Sequence, residues 1–246
     1  MKKLLVVCLA FAFVVISCKK SKDDAAEPAH INLLTKRTDS DGLIFNFTYD
    51  ANNRMATWVR NSNAYNGPQN ISFTYNANGT LAQFFDSQSS RKTKYTYNAD
   101  ASVSTQKTYS VSGATETLND TYTYTYAPAA VTENYVQAST GNGFRQEYRY
   151  DTNGNLIEVK SYNTTPANPT GTYSGVVTYS GYDAKPSYNS STPAAFLFPI
   201  SIKNNVGSIV YPFGTGIYTY EYNADGYPIK KSENGTLVST FEYQRL

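Results

Sequence analysis

One short polar turn recurs along this chain, and each copy of it follows a tyrosine. The copies alternate Asp or Asn with small residues, as in Tyr-Asn-Ala-Asn-Gly. They begin at Tyr49, Tyr75, Tyr97, Tyr150 and Tyr222. Asn, Asp and Gly close β-hairpins because they tolerate the positive φ that such turns need. Each copy therefore predicts a type I turn followed by a left-handed residue, with an antiparallel strand on either side.

The segments that precede these turns alternate apolar and polar residues. Ile71, Phe73 and Tyr75 share one face of their segment, while Ser72 and Thr74 share the other. Such alternation is typical of a strand with one buried face. Successive strand-ending tyrosines lie 22 to 29 residues apart, at Tyr49, Tyr75, Tyr97, Tyr126 and Tyr150. Because each interval has room for two strands, the sequence predicts a repetitive array of hairpins.

Prolines interrupt this array in two places. Residues 163–170 and 183–199 are rich in proline, which cannot donate to a strand ladder, so both are predicted to be long loops. Residues 194–198 are apolar and predict a short helical or irregular plug. A late pair of strands is predicted over residues 199–203 and 207–211.

The composition agrees with a β protein. The chain has 23 Tyr and 12 Phe, and no segment after residue 30 keeps a helical apolar period. We predict an all-β fold, an antiparallel meander of about 14–16 strands that forms either a barrel-like cylinder or a rolled sheet. The outward face carries charges such as Arg145, Glu147 and Arg149, and many strands look too short to span a bilayer. The sheet is therefore predicted to be lipid-anchored rather than membrane-spanning.

The N-terminus predicts export and lipidation. Lys2 and Lys3 precede thirteen apolar residues, a length that suits a signal peptide and is too short for a transmembrane helix. The stretch Val-Ile-Ser-Cys that ends at Cys18 resembles the bacterial lipobox, so residues 1–17 are predicted to be removed and Cys18 to be lipidated. The alternative is an ordinary signal peptide with an incidental cysteine. Stable anchoring needs two or more acyl chains, which this class of lipoprotein carries.

The predicted organisation after cleavage is a tether and one domain. Residues 18–30 are polar and form a flexible tether, and residues 31–246 form a single β domain. The acidic run at Asp23 and Asp24 resembles the export tags of surface lipoproteins of the Bacteroidetes. This resemblance places the protein in the outer membrane, with the cell surface favoured over the periplasmic face.

Two families resemble the domain itself. The recurring turn is similar to the YD repeats of Rhs and teneurin-type shells, although those arrays are longer and stricter. A nearer resemblance is to small Bacteroidetes lipoproteins of unknown function with a porin-like fold. It rests on the lipobox and three segments, residues 182–186, 203–205 and 220–228. This resemblance implies a barrel-like meander and brings no catalytic residues with it.

Several functional classes are disfavoured by composition. Without Lys2 and Lys3 the basic and acidic residues are equal in number at 19, so we expect no nucleic-acid partner. The single histidine, His30, lies in the tether, which disfavours a catalytic triad or a histidine-ligated metal. The turn at Asp151 begins like a calcium loop, but Tyr162 stands where the twelfth-position Glu would be. No cofactor and no metal are predicted.

The aromatic residues allow two interpretations. They either form the hydrophobic face of a sheet that is poor in Leu and Ile, or they contact a ligand by stacking on it. In both cases the ring of each turn tyrosine should pack while its hydroxyl stays hydrated. The candidate ligand contacts are Trp58, Tyr75, Tyr97, Tyr124, Tyr150 and Tyr222.

Three functions follow, in order of preference. The first is a non-catalytic binding module for a glycan, a peptide or an envelope protein, held on the membrane by its lipid. The second is a structural component of the envelope. The third is a glycoside hydrolase that uses two carboxylates, although the sequence pairs none of its acids. The scattered acids are Asp39, Asp41, Asp86, Glu116, Asp120, Glu133, Glu147 and Glu158.

Overall fold

The computed structural model describes residues 31–63, 66–200 and 203–246. They form sixteen strands, a 3-10 turn (Tyr188–Ser191) and one short helix, α1 (Ala194–Leu197). No helix in these ranges is long and apolar enough to cross a membrane. The strands are β1 (Asn32–Asp39), β2 (Ile44–Tyr49), β3 (Met55–Arg60), β4 (Gln69–Tyr75), β5 (Leu81–Asp86), β6 (Arg91–Tyr97), β7 (Val103–Ser112), β8 (Thr115–Ala127), β9 (Ala130–Gln137), β10 (Gly143–Tyr150), β11 (Leu156–Thr165), β12 (Asn168–Ser180), β13 (Ser208–Tyr211), β14 (Gly214–Tyr222), β15 (Pro228–Glu233) and β16 (Thr236–Arg245).

The strands form one closed antiparallel barrel. Each strand pairs with its neighbours in sequence, and β1 pairs with β16 to complete the ring. The closing register runs from Asn32 opposite Arg245 to Asp39 opposite Ser239. The predicted all-β meander of about 14–16 strands is confirmed, and of the two forms considered it is the barrel. Closure leaves no exposed sheet edge along the paired length of β1 and β16.

The two ends of the barrel differ. We call the end that carries the recurring tyrosine turns the turn end, and the opposite end the far end. β1 starts and β16 finishes at the turn end, where Leu246 N donates to Ile31 O at 2.9 Å. The predicted tether, residues 18–30, lies outside the described residues and joins the barrel at this end.

The recurring turns have the predicted geometry. In the copy after Tyr49, the Asp50 carboxylate accepts from Asn52 N at 2.9 Å and from Arg54 N at 2.9 Å. The last turn residue is left-handed in every copy, at Asn53, Gly79, Ala101, Gly154 and Gly226. The Asp or Asn therefore caps the bend with its side chain, and the left-handed residue lets the second strand return.

The loop prediction for residues 163–170 is wrong. This segment belongs to the hairpin of β11 and β12, and Thr165 pairs with Asn168 across a two-residue turn that begins with Pro166. Pro169 is tolerated because β13 pairs with β12 only at residues 178–180, so this part of β12 has no second neighbour in the described structure. Proline disrupts a central strand but is accommodated at an edge.

The connection from β12 to β13 crosses the turn end. The predicted apolar plug is confirmed, with α1 at its centre, and the predicted strand over residues 207–211 is confirmed as β13. The predicted strand over residues 199–203 is wrong, because residues 199, 200 and 203 are irregular. We call residues 188–198 the plug.

The outward face of the barrel is polar. Threonines pair across neighbouring strands, as in Thr96 with Thr105 at 2.7 Å between hydroxyl oxygens. Ion pairs also bridge outward-facing side chains. They join Lys36 to Glu242, Lys92 and Lys94 to Glu116, Arg149 to Glu158, and Lys230 to Glu221.

Candidate functional site

The turn tyrosines connect neighbouring hairpins through their hydroxyl groups. Tyr75 Oη, at the end of β4, donates to Met55 O, at the start of β3, at 2.7 Å. The same bond, from a tyrosine at the end of one strand to a carbonyl near the start of the preceding strand, recurs around the barrel. It joins Tyr49 to Leu34 (2.7 Å), Tyr97 to Leu81 (2.6 Å), Tyr126 to Val103 (2.7 Å), Tyr182 to Leu156 (2.6 Å) and Tyr243 to Pro228 (2.9 Å).

The sheet geometry explains why these carbonyls need a side-chain donor. The ladder between β5 and β6 begins with Gln83 opposite Lys94, so the carbonyl of Leu81 lies beyond it. A backbone carbonyl without a ladder partner still requires a donor, and the Tyr97 hydroxyl provides one. These hydroxyls thus donate to specific backbone carbonyls, a partner that the sequence analysis did not predict. Only tyrosine combines a ring that packs on the wall with a hydroxyl that reaches this carbonyl.

Two of the turn tyrosines, Tyr150 and Tyr222, bind the β12–β13 connection instead of a carbonyl at the start of a strand. Tyr150 Oη donates to Pro199 O at 2.6 Å, immediately after the plug. The Tyr222 hydroxyl donates to the Asp183 carboxylate. Burial raises the pKa of Tyr222, and the hydrogen bond with Asp183 adds to the rise. These bonds hold the connection against the barrel near its start, at Asp183, and just after the plug, at Pro199.

The plug packs on rings inside the barrel. Phe196 meets Trp58, Phe73 and Phe84 edge-on, with ring centroids 5.0 to 5.1 Å apart. Phe198 meets Tyr124 edge-on at 5.0 Å. Such edge-to-face contacts are the favoured geometry for aromatic pairs. The plug is thus anchored by side chains from β3, β4, β5 and β8.

A cavity of about 720 Å³ opens at the turn end between the plug and the barrel wall. We call it the turn-end cavity. Its deep wall is formed by residues that begin odd-numbered strands, namely Met55, Leu81 and Val103. The other walls come from tyrosine rings and from the plug. These residues are Tyr75, Tyr97, Tyr126, Ala194, Ala195 and Phe198.

The turn-end cavity offers no free ionic group. Arg54 is the one charged residue among the described residues that line it. Its Nε donates to Asp50 Oδ2 at 2.8 Å, and its guanidinium carbon lies 4.4 Å from the centroid of the Tyr75 ring. Burial, with the Asp50 charge adding to it, raises the pKa of Tyr75 to about 12. The lining is therefore neutral and mostly apolar.

A buried carboxyl lies deeper in the barrel. Glu133 is 5% exposed, and its two oxygens face the hydroxyls of Tyr124 at 3.1 Å and Tyr148 at 2.7 Å. The same hydroxyls also face Gln106 Oε1 at 3.3 Å and Gln146 Oε1 at 2.6 Å. Burial raises the pKa of Glu133 despite the two tyrosine hydrogen bonds. Each tyrosine has one proton for two acceptors, so a protonated Glu133 satisfies this network better than a carboxylate does.

A second space, of about 410 Å³, lies toward the far end, and we call it the far-end chamber. Asp86, Arg91 and Asp120 line it. Burial raises the pKa of Asp86, but hydrogen bonds from Ser89 Oγ and Gln88 N outweigh that effect and leave the pKa below its ordinary value. The sequence paired none of these acids, whereas the barrel brings Asp86 and Asp120 to one chamber.

The predicted ligand-contact residues occupy different environments. Tyr75 and Tyr97 line the turn-end cavity, while Tyr124 is buried at 6% exposure beside the plug. Trp58 packs on Phe196, and Tyr150 and Tyr222 bind the β12–β13 connection. Cys18 lies outside the described residues.

Two features of the cavity escaped the prediction of site residues. Tyr126 lines the cavity although Ala127 and Pro128 replace the usual turn after it. The alternation of Tyr and Thr along β8 places Tyr126 on the same face as Tyr124, and this pattern could have identified it as a site residue. The plug residues Ala194, Ala195 and Phe198 were predicted as a plug but not as part of a site.

The calcium-like turn is accounted for within the fold. Asp151 Oδ1 accepts from Asn153 N at 2.9 Å and from Asn155 N at 2.8 Å, as Asp50 and Asn223 do in their copies of the turn. In the part of the chain that the structure describes, no three His, Cys, Asp or Glu residues cluster as metal ligands do.

Solved structures share this barrel. A porin-like protein from Bacteroides vulgatus is similar over 87% of this chain and 99% of its own, with a TM-score of 0.56 and 12% identity. A porin-like protein from Bacteroides uniformis is similar over 89% of this chain and 96% of its own, with a TM-score of 0.52 and 14% identity. At these identities the likeness shows a common fold, in agreement with the porin-like fold that the sequence resemblance implies.

The YD-type resemblance has weaker structural support. The TcdB2–TccC3 structure aligns with 89% of this chain and 14% of its own, at 15% identity and a TM-score of 0.31, which is too low to indicate a shared fold. No protein-family model matches the sequence, and no curated protein matches it.

Proposed function

We propose that this chain is a non-catalytic binding module of the cell envelope, held on the outer membrane by lipid at Cys18. Its ligand binds in the turn-end cavity. The observation that carries the proposal is a neutral cavity of about 720 Å³ with tyrosine rings along one wall. Small-molecule sites are typically clefts of about 300–1,000 Å³ that are lined by apolar and aromatic side chains.

The outward face of the barrel supports attachment by a lipid rather than by the wall itself. Five cations and four acids on that face form the ion pairs described above. A Lys or Arg on a lipid-facing wall costs about 2–4 kcal/mol at the bilayer midplane. A barrel that stands in water on a lipidated tether avoids this cost. The acidic run after Cys18 favours the cell surface.

A structural role in the envelope is the second candidate. The tyrosine hydroxyls at the turn end are already bonded to backbone carbonyls, as in Tyr97 with Leu81, and are therefore used to hold the barrel together. This observation favours a structural role for the hydroxyls. It leaves the ring faces that line the cavity available to a ligand.

A carboxylate-based hydrolase is less well supported. Asp86 and Asp120 share the far-end chamber, but a general acid needs a raised pKa. Burial of Asp86 is outweighed by its hydrogen bonds, so its pKa is lowered. Asp86 is thus poorly suited to donate a proton to a leaving group.

Two measurements test the proposal. Metabolic labelling with palmitate should mark the wild-type chain and fail to mark Cys18→Ala; labelling of neither would exclude the lipid anchor.

A thermal-shift screen with glycans, peptides and amphiphiles should give a stabilising ligand whose effect disappears in Ala194→Trp. Ala194 is exposed and lines the cavity, so the larger ring fills it from the plug side.

A matched control separates occlusion from a general effect of tryptophan. Ala77 is exposed in the turn after Tyr75 and does not line the cavity. Ala77→Trp should keep the full thermal shift. If no compound shifts the wild type, or if Ala194→Trp keeps the shift, a binding function at this cavity is excluded and the structural role becomes the better explanation.

A further inference from the structure

We propose that the turn-end cavity takes a single acyl chain with a neutral, hydroxyl-bearing head group. The inference rests on the binding function proposed above and names the class of its ligand. Three observations lead to it, namely the apolar deep wall of the cavity, its neutral polar rim and the position of its mouth beside Ile31, the first residue that the structure describes.

The deep part of the cavity suits an unbranched hydrocarbon. Met55, Leu81 and Val103 present aliphatic side chains there, and Ala195 and Phe198 face them from the plug. None of these side chains has a hydrogen-bonding group. A hydroxyl-rich ligand placed in this region would lose its hydrogen bonds to water without replacement. A hydrocarbon chain loses only unfavourable contact with water.

The rim of the cavity provides hydrogen bonds without a net charge. The side chains of Asn52, Asn53 and Ser190 line it and have no hydrogen-bond partner among the described residues. Arg54, the one charged residue there, is already paired with Asp50. An anionic head group would therefore meet no free cation, whereas a glycerol-like head group would find amide and hydroxyl partners.

The cavity mouth also lies where acyl chains are available. Ile31 lines the cavity, is 55% exposed and directly follows the predicted tether. The thirteen residue-to-residue steps from Cys18 to Ile31 span at most about 45 Å when fully extended. A lipid on Cys18 would thus keep the mouth within a short distance of the bilayer surface.

Two sources could supply the acyl chain. One is a single-chain lipid of the membrane, and the other is an acyl group on Cys18 that folds back along the tether. The chemistry of the cavity is the same in both cases. Comparison of acylated wild type with the Cys18→Ala chain distinguishes them, because only the wild type carries its own acyl group.

The experiment uses a 1-monoacylglycerol with a photoreactive diazirine in its acyl chain. The probe is irradiated with the Cys18→Ala chain in solution and with acylated wild type in phosphatidylcholine vesicles, and adducts are mapped by mass spectrometry. We expect adducts on the plug and on the segments that begin β5 and β7. Unlabelled 1-monopalmitoylglycerol should compete at least tenfold better than palmitate, and glycerol should not compete.

Variants identify the binding site of the probe and the source of the acyl chain. Ala194→Trp should reduce labelling at least tenfold, while Ala77→Trp should leave it unchanged. Labelling of both Cys18→Ala and wild type assigns a membrane lipid, and labelling of Cys18→Ala alone assigns the acyl group of Cys18. Either result supports an acyl-chain site.

Other results would overturn the inference. These are an absence of adducts in both proteins, equal labelling of Ala194→Trp, or stronger competition by palmitate, which would contradict the neutral head group. If another ligand still gives a thermal shift that Ala194→Trp abolishes, the binding function stands and only the acyl assignment fails.

Discussion

Tyr97 Oη donates to the backbone carbonyl of Leu81 at 2.6 Å, at the point where the ladder between β5 and β6 has ended. Tyr97 precedes one hairpin turn at the turn end of the barrel. Leu81 follows the previous turn at that end, which comes after Tyr75. The bond therefore ties consecutive hairpins together at the turn end of the barrel. The recurring tyrosine contributes to the stability of the barrel as well as to the wall of its cavity.

Replacement of Tyr97 by Phe should destabilise the barrel by about 1–2 kcal/mol, because the Leu81 carbonyl would lose its donor while the ring remains. Urea unfolding followed by circular dichroism measures the change. Tyr173→Phe is the control, since its ring is 55% exposed and its hydroxyl has no described partner. A cost for Tyr97→Phe no larger than that of the control would contradict a stabilising role for the bond.

The left-handed turn positions predict effects of opposite sign for two reciprocal changes. Ala101 has φ +64°, which strains an L-residue, so Ala101→Gly should stabilise the protein by roughly 0.5–1 kcal/mol. Gly79 has φ +85° and open space where a β-carbon would stand, so Gly79→Ala should destabilise the protein by about 1 kcal/mol through the backbone alone. Thermal unfolding of both variants checks the signs. Equal signs would show that turn conformation does not determine these stabilities.

Truncation of Phe196 should be among the most costly single changes. The ring contacts Trp58, Phe73 and Phe84, so Phe196→Ala should cost about 3–5 kcal/mol. Phe213 is 99% exposed, and Phe213→Ala should change stability by less than about 0.5 kcal/mol. Similar unfolding midpoints for the two variants would argue that the plug does not pack inside the barrel.

Glu133 predicts a specific pH dependence. Its pKa is raised by burial, so the folded state holds this proton more tightly than the unfolded chain, whose Glu pKa is about 4.3. The contribution of Glu133 to stability should be greatest below that pH, and it should fall as the pH rises toward the folded-state pKa.

Glu133→Gln tests this dependence, because the amide stays neutral at all pH values. The difference in unfolding free energy between wild type and Glu133→Gln should shift in favour of the variant as the pH rises above about 4.3. Glu221→Gln makes the same substitution at an exposed outward position and is the control. A difference that stays constant with pH would mean that folding does not raise the pKa of Glu133.

The sequence predicted what depends on local chemistry. Asn78 and Gly79 specify their turn because side-chain capping and positive φ are properties of a few neighbouring residues. Closure depends instead on pairs that are distant in sequence, such as Arg37 opposite Phe241. A repeat pattern is the same for a barrel and a rolled sheet, so it left both forms open.

The candidate site was less predictable for the same reason. Its deep wall consists of residues at equivalent positions in successive repeats, such as Leu81 and Val103, which look like ordinary core residues in the sequence. The plug that faces them comes from a connection about 90 to 115 residues further along the chain. The carbonyl partners of the tyrosine hydroxyls were not predicted, because nothing local in the sequence marks the carbonyls that they reach.

The sole tryptophan gives the most direct test of a barrel whose lumen holds the plug and so forms the cavity. Trp58 packs edge-on against Phe196 at a centroid distance of 5.1 Å. A plugged barrel predicts blue-shifted Trp58 emission that acrylamide quenches weakly, and Phe196→Ala should shift the emission to the red and increase quenching. Wild-type emission that resembles free tryptophan, and that Phe196→Ala leaves unchanged, would contradict a plug inside the barrel.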